Sequence, residues 1–239
     1  MTSIENVSDT ALWVAVYRAM ETARPDAIFN DPYAERLAGE KGLKILGEMK
    51  QGRAMAWAMI VRTAVMDELI LDRINNAGVD TVLNLAAGLT NVLVRDALFS
   101  QVGRAARSML VITEGLLIYL STEEVTLLAR ALHATGSARR WISDIASPML
   151  LQWMTKSWGR SVAKGNAPFK FGPEDSTAFF ASVGWRETVY RSSMAEARRL
   201  HREMRMMWLW RFTTKLMPKK RREAMKRMSG ILLLERADS

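Results

Sequence analysis

The chain has 239 residues, of which 49% are hydrophobic and 25% are charged, and these values are ordinary for a globular protein. It contains no cysteine, which excludes disulfides, thiolate zinc sites and a cysteine nucleophile. Lys and Arg number 34 against 25 Asp and Glu, so the formal net charge is +9.

The first third of the sequence predicts helices. Capping residues and apolar positions predict a helix over about Thr10–Thr22, and a second, short helix follows from Asp31 to Leu37. A longer helix is predicted over Trp57–Ala77, and Arg62 lies on it. A helical arginine is most often solvated. Arg62 nevertheless lies one helix upstream of the first predicted strand, which makes it a candidate binding residue.

The run Thr81–Leu85 predicts a buried parallel strand, because it is rich in β-branched and aliphatic residues and is flanked by turn residues. Three small residues follow at its carboxyl end: Ala86, Ala87 and Gly88. Small residues there let a ligand approach the backbone in the crevice where open α/β sheets bind ligands. A buried strand followed by a tight turn explains the same pattern about equally well.

A second strand with a carboxylate at its end follows along the chain. Val92–Val102 predicts one helix, and Met109–Thr113 predicts a buried strand that ends at Glu114. Glu114 would face the crevice and accept hydrogen bonds from a cationic or hydroxyl-bearing ligand. An acid capping a helix N-terminus is an equally weighted alternative. Ser121 and Glu124 form a capping box that predicts a helix through Leu132.

The remaining sequence predicts three further strands and two helices. These are the strands Arg140–Ile145, Trp185–Arg191 and Ser229–Glu235, the short helix Thr177–Val183, and a long helix Ala195–Leu216 with a basic face. Residues 149–176 are expected to form a helical insert that is less regular over Gln152–Pro173. Strands that alternate with helices predict an α/β fold with a mostly parallel sheet.

Several stretches in the same order resemble the class I S-adenosylmethionine-dependent methyltransferases of the leucine carboxyl methyltransferase type, in the O-methyltransferase branch. They are Asp9–Ala11 with Tyr17–Glu21, Arg24–Ala27 with Asp31–Ala34, Arg62–Thr63 with Asp67, Asn84–Leu89, Thr113–Leu120, Asp144 with Ser147–Pro148, Ser157–Gly159 with Gly165–Pro168, and Gly230–Glu235. The resemblance implies a Rossmann-like single domain, with a helical lid over residues 1–77 and a sheet core over residues 78–239.

The resemblance also implies a cofactor and residues that bind it. The cofactor is S-adenosyl-L-methionine, bound at the carboxyl ends of the first half of the sheet. Arg62 would hold its methionine carboxylate, Ala86, Ala87 and Gly88 would line the methionine moiety, and Glu114 would lie at the strand edge. The implied reaction is methyl transfer to an oxygen of a small molecule or carboxylate, and no catalytic residue is assigned.

One departure from the family pattern concerns the sheet. Gly88 and Glu114 are only 26 positions apart, whereas each strand-helix-strand unit needs roughly 30 residues. This spacing permits one right-handed crossover, so the family's second and third strands are expected to be absent. We therefore predict five strands in the order 81, 109, 140, 230, 185, with helices on both faces and the strand near 230 antiparallel. The acid that holds the cofactor ribose would be lost with the absent strands.

Alternative functions follow from the same features. A degenerate, non-catalytic member could act as an interaction module, and the basic stretch 198–227 could bind anionic surfaces or nucleic acid. We expect no specific nucleic acid partner, no membrane partner and no metal, because the two histidines are far apart and the arginines share one solvated helix face. The exposed first strand would favour a homodimer. Met1–Thr10 lacks an apolar signal region, so a cytoplasmic location is expected.

Overall fold

A computed structural model gives the structure of this chain. It describes residues 4–5, 9–49, 52–85, 92–164, 168–204, 207 and 217–237. The side chains of residues 92–97, 159–164 and 220 are outside this description, although their helices are assigned.

Nine helices and five strands are assigned among the described residues, together with two short 3-10 turns. The helices are α1 (Asp9–Thr22), α2 (Ala34–Glu48), α3 (Ala56–Asn76), α4 (Val92–Ala105), α5 (Thr122–Ala134), α6 (Pro148–Lys164), α7 (Ser176–Ser182), α8 (Ser193–Arg199) and α9 (Lys219–Lys226). The strands are β1 (Thr81–Asn84), β2 (Met109–Thr113), β3 (Ala138–Ala146), β4 (Trp185–Ser192) and β5 (Ser229–Arg236). The 3-10 turns are Gly52–Met55 and Leu117–Tyr119.

The strands form one sheet in the order β1-β2-β3-β5-β4, which confirms the predicted order. β1 pairs with β2 and β2 pairs with β3 in parallel, whereas β3 and β5 are antiparallel. β5 also runs antiparallel to β4: Ala237 N donates to Gly184 O over 2.9 Å at one end, and Gly230 lies against Tyr190 at the other. A Cβ on Gly230 would come within 2.5 Å of the Tyr190 ring, so glycine permits this close strand approach.

The connection from β1 to β2 is a single helical crossover among the described residues. α4 occupies Val92–Ala105, and Met109 already begins β2, so no strand lies within residues 92–108. The prediction that two further strands are absent is confirmed for that range. β1 consequently ends the described sheet, with Val82 44% exposed.

Both faces of the central strands β2, β3 and β5 are largely buried, as expected when helices cover both sides of a sheet, whereas β1 was predicted to be buried and is partly exposed. One face packs with α4, α5 and α7, through Phe99, Leu128 and Phe180 among others. The alternate positions in the strands are also buried: Leu110, Ile112, Ile142, Ile231 and Leu233. The near-continuous apolar runs in the sequence are explained by this two-sided burial.

The chain divides into two compact units. Unit 1 contains residues 1–65, 152–169 and 192–228, and unit 2 contains residues 66–151, 170–191 and 229–239. Unit 2 carries the whole sheet, and unit 1 is helical in its described residues. The predicted single domain with a lid over residues 1–77 and an insert over 149–176 stays a prediction.

Three predicted elements differ from the structure. The short helix predicted over Asp31–Leu37 begins at Ala34 and continues as α2 to Glu48, with a break at Gly39, where φ is +54°. The long helix Ala195–Leu216 is wrong, because α8 ends at Arg199 and the chain turns at His201, which has a φ of +54°. His201 N donates to Arg198 O and Arg202 N donates to Ala197 O, which is the hydrogen-bond pattern of a Schellman helix end. The insert is more regular than predicted, because α6 continues to Lys164.

Candidate functional site at the carboxyl edge of the sheet

The parallel strands β1, β2 and β3 all end at one edge of the sheet in unit 2. β1 ends at Asn84, and the backbone N–H of Leu85 still donates to Ile112 O over 2.8 Å. β2 ends at Thr113, directly before Glu114, and β3 carries Asp144 near its own end. The sheet thus brings Glu114 and Asp144 to the same edge, where open α/β sheets place their ligands.

Asp144 fixes the backbone that follows β2. The Gly115 N–H donates a hydrogen bond of 2.7 Å to Asp144 Oδ1. Gly115 has a φ of +61°, a conformation that glycine adopts without steric cost. The turn after β2 is therefore held by a charge-assisted hydrogen bond from the neighbouring strand. Asp144 positions the segment that carries Glu114.

A buried polar network supports the same edge from inside the sheet. The Trp141 Nε1–H donates to Thr113 Oγ1 over 2.8 Å, and the Ser143 hydroxyl donates to Thr113 O over 3.2 Å. All three side chains are buried, so these hydrogen bonds satisfy polar atoms that would otherwise be costly to bury. The network was not predicted, although polar residues at the ends of apolar strands in the sequence were a usable signal.

Glu114 is half-buried at this edge. The 3-10 turn after it has Leu116 at its N-cap, and α5 is capped by Ser121 and Glu124, which confirms the predicted capping box. Glu114 is therefore not the cap residue of either element. The role of Glu114 in binding stays a prediction.

The other predicted binding residues lie elsewhere. Ala86, Ala87 and Gly88 fall outside the described residues. Arg62 is half-buried on α3, between the buried residues Val61 and Thr63, and belongs to unit 1. The structure thus groups Glu114 with Asp144 in unit 2 and places Arg62 in the other unit.

Motifs near the start of the chain contact one another within unit 1. Arg18 Nε donates to Asp31 Oδ2 over 2.7 Å, and Arg18 Nη1 donates to Thr63 Oγ1 over 3.3 Å. The Arg18 hydrogen bond is the largest of the effects that hold the pKa of Asp31 below its usual value. These contacts give Arg18 and Asp31 a structural role and connect them to the residue that follows Arg62.

The carboxylates at the carboxyl edge could bind an organic ligand that donates hydrogen bonds. Carboxylates such as Glu114 accept hydrogen bonds from an ammonium group or from hydroxyls. No cluster of three or more His, Asp or Glu side chains that could hold a metal ion occurs in the part of the chain that the structure describes. Across the same residues, no helix is both long and apolar enough to cross a membrane.

Sequence comparisons match parts of the chain. The family model for leucine carboxyl methyltransferase matches residues 11–97, which confirms the resemblance over that range. Three similar curated proteins share the name "Putative S-adenosyl-L-methionine-dependent methyltransferase", followed in two of them by a gene label. They are from Mycolicibacterium gilvum (38% identical over 99 residues, 35% of this chain and 32% of that protein), Streptomyces coelicolor (36% over 96 residues, 37% and 34%) and Rhodococcus jostii (40% over 96 residues, 36% and 31%). The matched segments thus cover about a third of each relative.

A structural comparison covers the whole chain. The crystal structure of a protein from Thermobifida fusca, described as a "putative methyltransferase", superposes with a TM-score of 0.53. The match covers 99% of this chain and 96% of that one at 13% sequence identity. It confirms the α/β fold class with its five-stranded open sheet.

Proposed function

We propose that this protein transfers a methyl group from S-adenosyl-L-methionine to an oxygen of a small molecule or carboxylate. The observation that carries the proposal is the family match over residues 11–97, which spans Arg62 and the end of β1. The half-buried Glu114 at the neighbouring strand end supports it, because both strand ends belong to the edge at which such sheets take their ligands.

Each proposed contact follows from the chemistry of a residue. Arg62 would pair with the carboxylate of the cofactor through a charge-assisted hydrogen bond. Glu114 would accept hydrogen bonds from its ammonium group or hydroxyls, and Ala86, Ala87 and Gly88 would allow close backbone approach. The bound cofactor would supply a methyl group that its sulfonium has already activated.

The protein's part in the reaction is positioning. The protein would mainly align the acceptor oxygen with the methyl carbon and exclude water. A carboxylate acceptor is already deprotonated at neutral pH and needs no general base. We therefore assign no catalytic residue, and Asp144 acts as a positioning residue through Gly115.

The residues present fit the cofactor only in part. Within residues 92–108 there is one helix and no strand, so the family's second strand and its ribose-binding acid have no counterpart there. Each lost hydrogen bond to a ribose hydroxyl weakens binding by about 0.5–1.5 kcal/mol. We expect the affinity for S-adenosyl-L-methionine to be well below that of a family member that has the second and third strands.

Calorimetric titration with S-adenosyl-L-methionine tests the proposal. We expect measurable, weak binding that Arg62→Ala reduces by about tenfold, because one charge-assisted contact is lost. Arg53→Ala, which removes an exposed arginine on the 3-10 turn in the same unit, is the matched control and should bind as the native protein does. Equal affinity in the native protein and Arg62→Ala would remove Arg62 from the proposal.

Transfer of labelled methyl groups to a panel of small carboxylates and hydroxyl compounds tests catalysis separately. Binding without transfer to any acceptor would favour the alternative of a non-catalytic interaction module. The absence of both binding and transfer would overturn the proposed function as a whole.

The partner proposal concerns the sheet edge. β1 has one strand neighbour in the described sheet, and an unpaired edge can pair with a second copy of the chain. We expect a homodimer, which sedimentation equilibrium over a range of concentrations would detect. A monomer at all concentrations would contradict this expectation.

A further inference from the structure

A cleft with a volume of about 420 Å³ lies at the opposite edge of the sheet, where β1, β2 and β3 begin. Its walls come entirely from unit 2. The lining residues are Ala77, Gly78, Arg107, Ser108, Arg139, Arg140, Arg186, Glu235 and Arg236. Five of these nine residues are arginines, and the carboxyl-edge site contains none of them.

The sheet topology gathers these arginines from distant parts of the sequence. Arg107 precedes β2, Arg139 and Arg140 open β3, Arg186 opens β4, and Arg236 ends the antiparallel β5. Because β5 runs opposite to β3, its carboxyl end meets the amino end of β3, and Arg140 lies opposite Glu235 in the register. A cationic cluster therefore forms from residues up to 129 positions apart, between Arg107 and Arg236.

The cleft carries a surplus of positive charge. Five arginines line it against one lining carboxylate, Glu235. Glu235 lies 3.6 Å from Arg140 Nε and 3.7 Å from Arg186 Nη2, so two guanidinium groups share it. Asp80 nearby lies 3.3 Å from Arg107 Nε and also accepts hydrogen bonds from the backbone of residues 107 and 108. Counting both carboxylates still leaves three positive charges in excess.

Arg140 has donor capacity left within this cleft. Its Nη1 donates a long hydrogen bond of 3.4 Å to Ser108 Oγ, and its buried Nε makes no hydrogen bond among the described residues, because its ion-pair partner Glu235 lies 3.6 Å away. A buried donor without a hydrogen bond is costly, so the guanidinium of Arg140 is not fully satisfied by the protein. The guanidinium fork of arginine matches the oxygens of a phosphoryl group, to which it can donate two parallel hydrogen bonds.

We propose that the arginine cleft binds a small molecule bearing linked phosphoryl groups, such as a pyrophosphate or nucleoside polyphosphate. Several phosphoryl oxygens in series match several guanidinium groups better than a single phosphate does. The volume lies within the range of small-ligand pockets. Nucleic acid fits less well, because no aromatic side chain lines the cleft to stack on bases. This proposal is independent of methyl transfer and of the basic stretch 198–227.

Calorimetric titration with inorganic tripolyphosphate at physiological salt tests the cleft directly. We expect the native protein to bind it more tightly than orthophosphate. The variant Arg139→Gln/Arg186→Gln should weaken binding about tenfold or more, because it removes two charge-assisted contacts. Both residues are exposed, so the variant should keep its fold, which its thermal unfolding temperature checks.

Two further variants distinguish specific binding in the cleft from nonspecific attraction of an anion to a basic protein. Arg221→Gln/Arg222→Gln removes two charges from exposed positions on α9, outside the cleft, and should leave tripolyphosphate affinity unchanged. Arg140→Lys keeps the positive charge but removes the guanidinium group that can donate two parallel hydrogen bonds, so it should weaken binding. Equal weakening by the two double variants would overturn the proposal, as would absence of tripolyphosphate binding. Tighter binding of a single-stranded oligonucleotide than of tripolyphosphate would overturn the choice of a small ligand.

Discussion

The two compact units differ in the kinds of side chain that they bury. Unit 2 is built on aromatic and aliphatic contacts, in which the Trp141 ring centroid lies 5.4 Å from that of Phe180 and 5.5 Å from that of Trp185. Unit 1 contains a fully buried carboxylate, Glu21, which accepts hydrogen bonds from Arg202 at 2.7 to 3.0 Å.

The stability of the two units should therefore depend on different kinds of interaction. Apolar burial is non-directional and independent of pH, whereas a buried ion pair must remain fully partnered to be tolerated. The Glu21–Arg202 contact joins two segments 181 positions apart, and Ile28 N and Asp26 complete its hydrogen bonds. We expect variants in unit 2 to respond to lost volume and variants in unit 1 to respond to lost charge.

The largest effect is expected for Trp141→Ala in unit 2. Removing this fully buried indole leaves a cavity and two aromatic neighbours without their edge contacts, at a cost of about 3–5 kcal/mol in the free energy of unfolding. Chemical denaturation measures it. Trp153→Ala, which removes a 39% exposed indole from unit 1, is the control and should cost no more than about 1.5 kcal/mol. Similar losses in both variants would contradict the assignment of Trp141 to the core.

A somewhat smaller effect is expected for Glu21→Gln in unit 1. The variant keeps the shape of the side chain but removes the main charge partner of the buried Arg202, at a cost of about 3 kcal/mol. The double variant Glu21→Gln/Arg202→Met removes both charges and should recover part of that loss. A double variant less stable than Glu21→Gln would show that the hydrogen bonds of Arg202 outweigh its desolvation.

A third, smaller effect is expected at the end of α8. His201 adopts a left-handed backbone conformation that costs a non-glycine residue of order 1 kcal/mol. His201→Gly removes that strain and adds backbone freedom to the unfolded chain, so we expect a net stabilisation below about 1 kcal/mol. His201→Val should destabilise, because β-branched residues fit this conformation poorly. Equal stability of the two variants would contradict the observed turn.

The smallest change in the free energy of unfolding is expected for a substitution of Asp31. Because Arg18 lowers the pKa of Asp31 in the folded state, the stabilisation is present above the pKa of an unfolded Asp, near 3.9, and is lost as pH falls through the lowered value. Native protein should therefore be more stable than Asp31→Asn at pH 7, with the difference shrinking below about pH 4. Denaturation at both pH values measures it, and a constant difference would exclude this linkage.

Most of the sheet could be predicted from the sequence. The sequence located all five strands, of which those near Thr81, Met109 and Gly230 are mainly aliphatic runs, and the short interval from Gly88 to Glu114 left room for a single crossover. The capping box at Ser121 was likewise predicted correctly, since both of its hydrogen bonds join residues three positions apart. The position of Glu114 directly after β2 was also predicted correctly, because the apolar run of that strand ends at Thr113.

Contacts between residues far apart in the sequence determine the features that the sequence did not predict. The helical pattern of residues 195–216 continued past Arg202, but burial of that side chain against Glu21 and Asp26 accompanies a turn at His201. The five arginines of the cleft likewise look like isolated surface charges in the sequence, and only the antiparallel placement of β5 brings Arg236 to the start of β3. Local periodicity indicates which residues form helices and strands, because side chains return to the same face about every 3.6 residues in a helix and every two residues in a strand. Which charges meet is set by strand order and direction, and these follow from packing the complete chain.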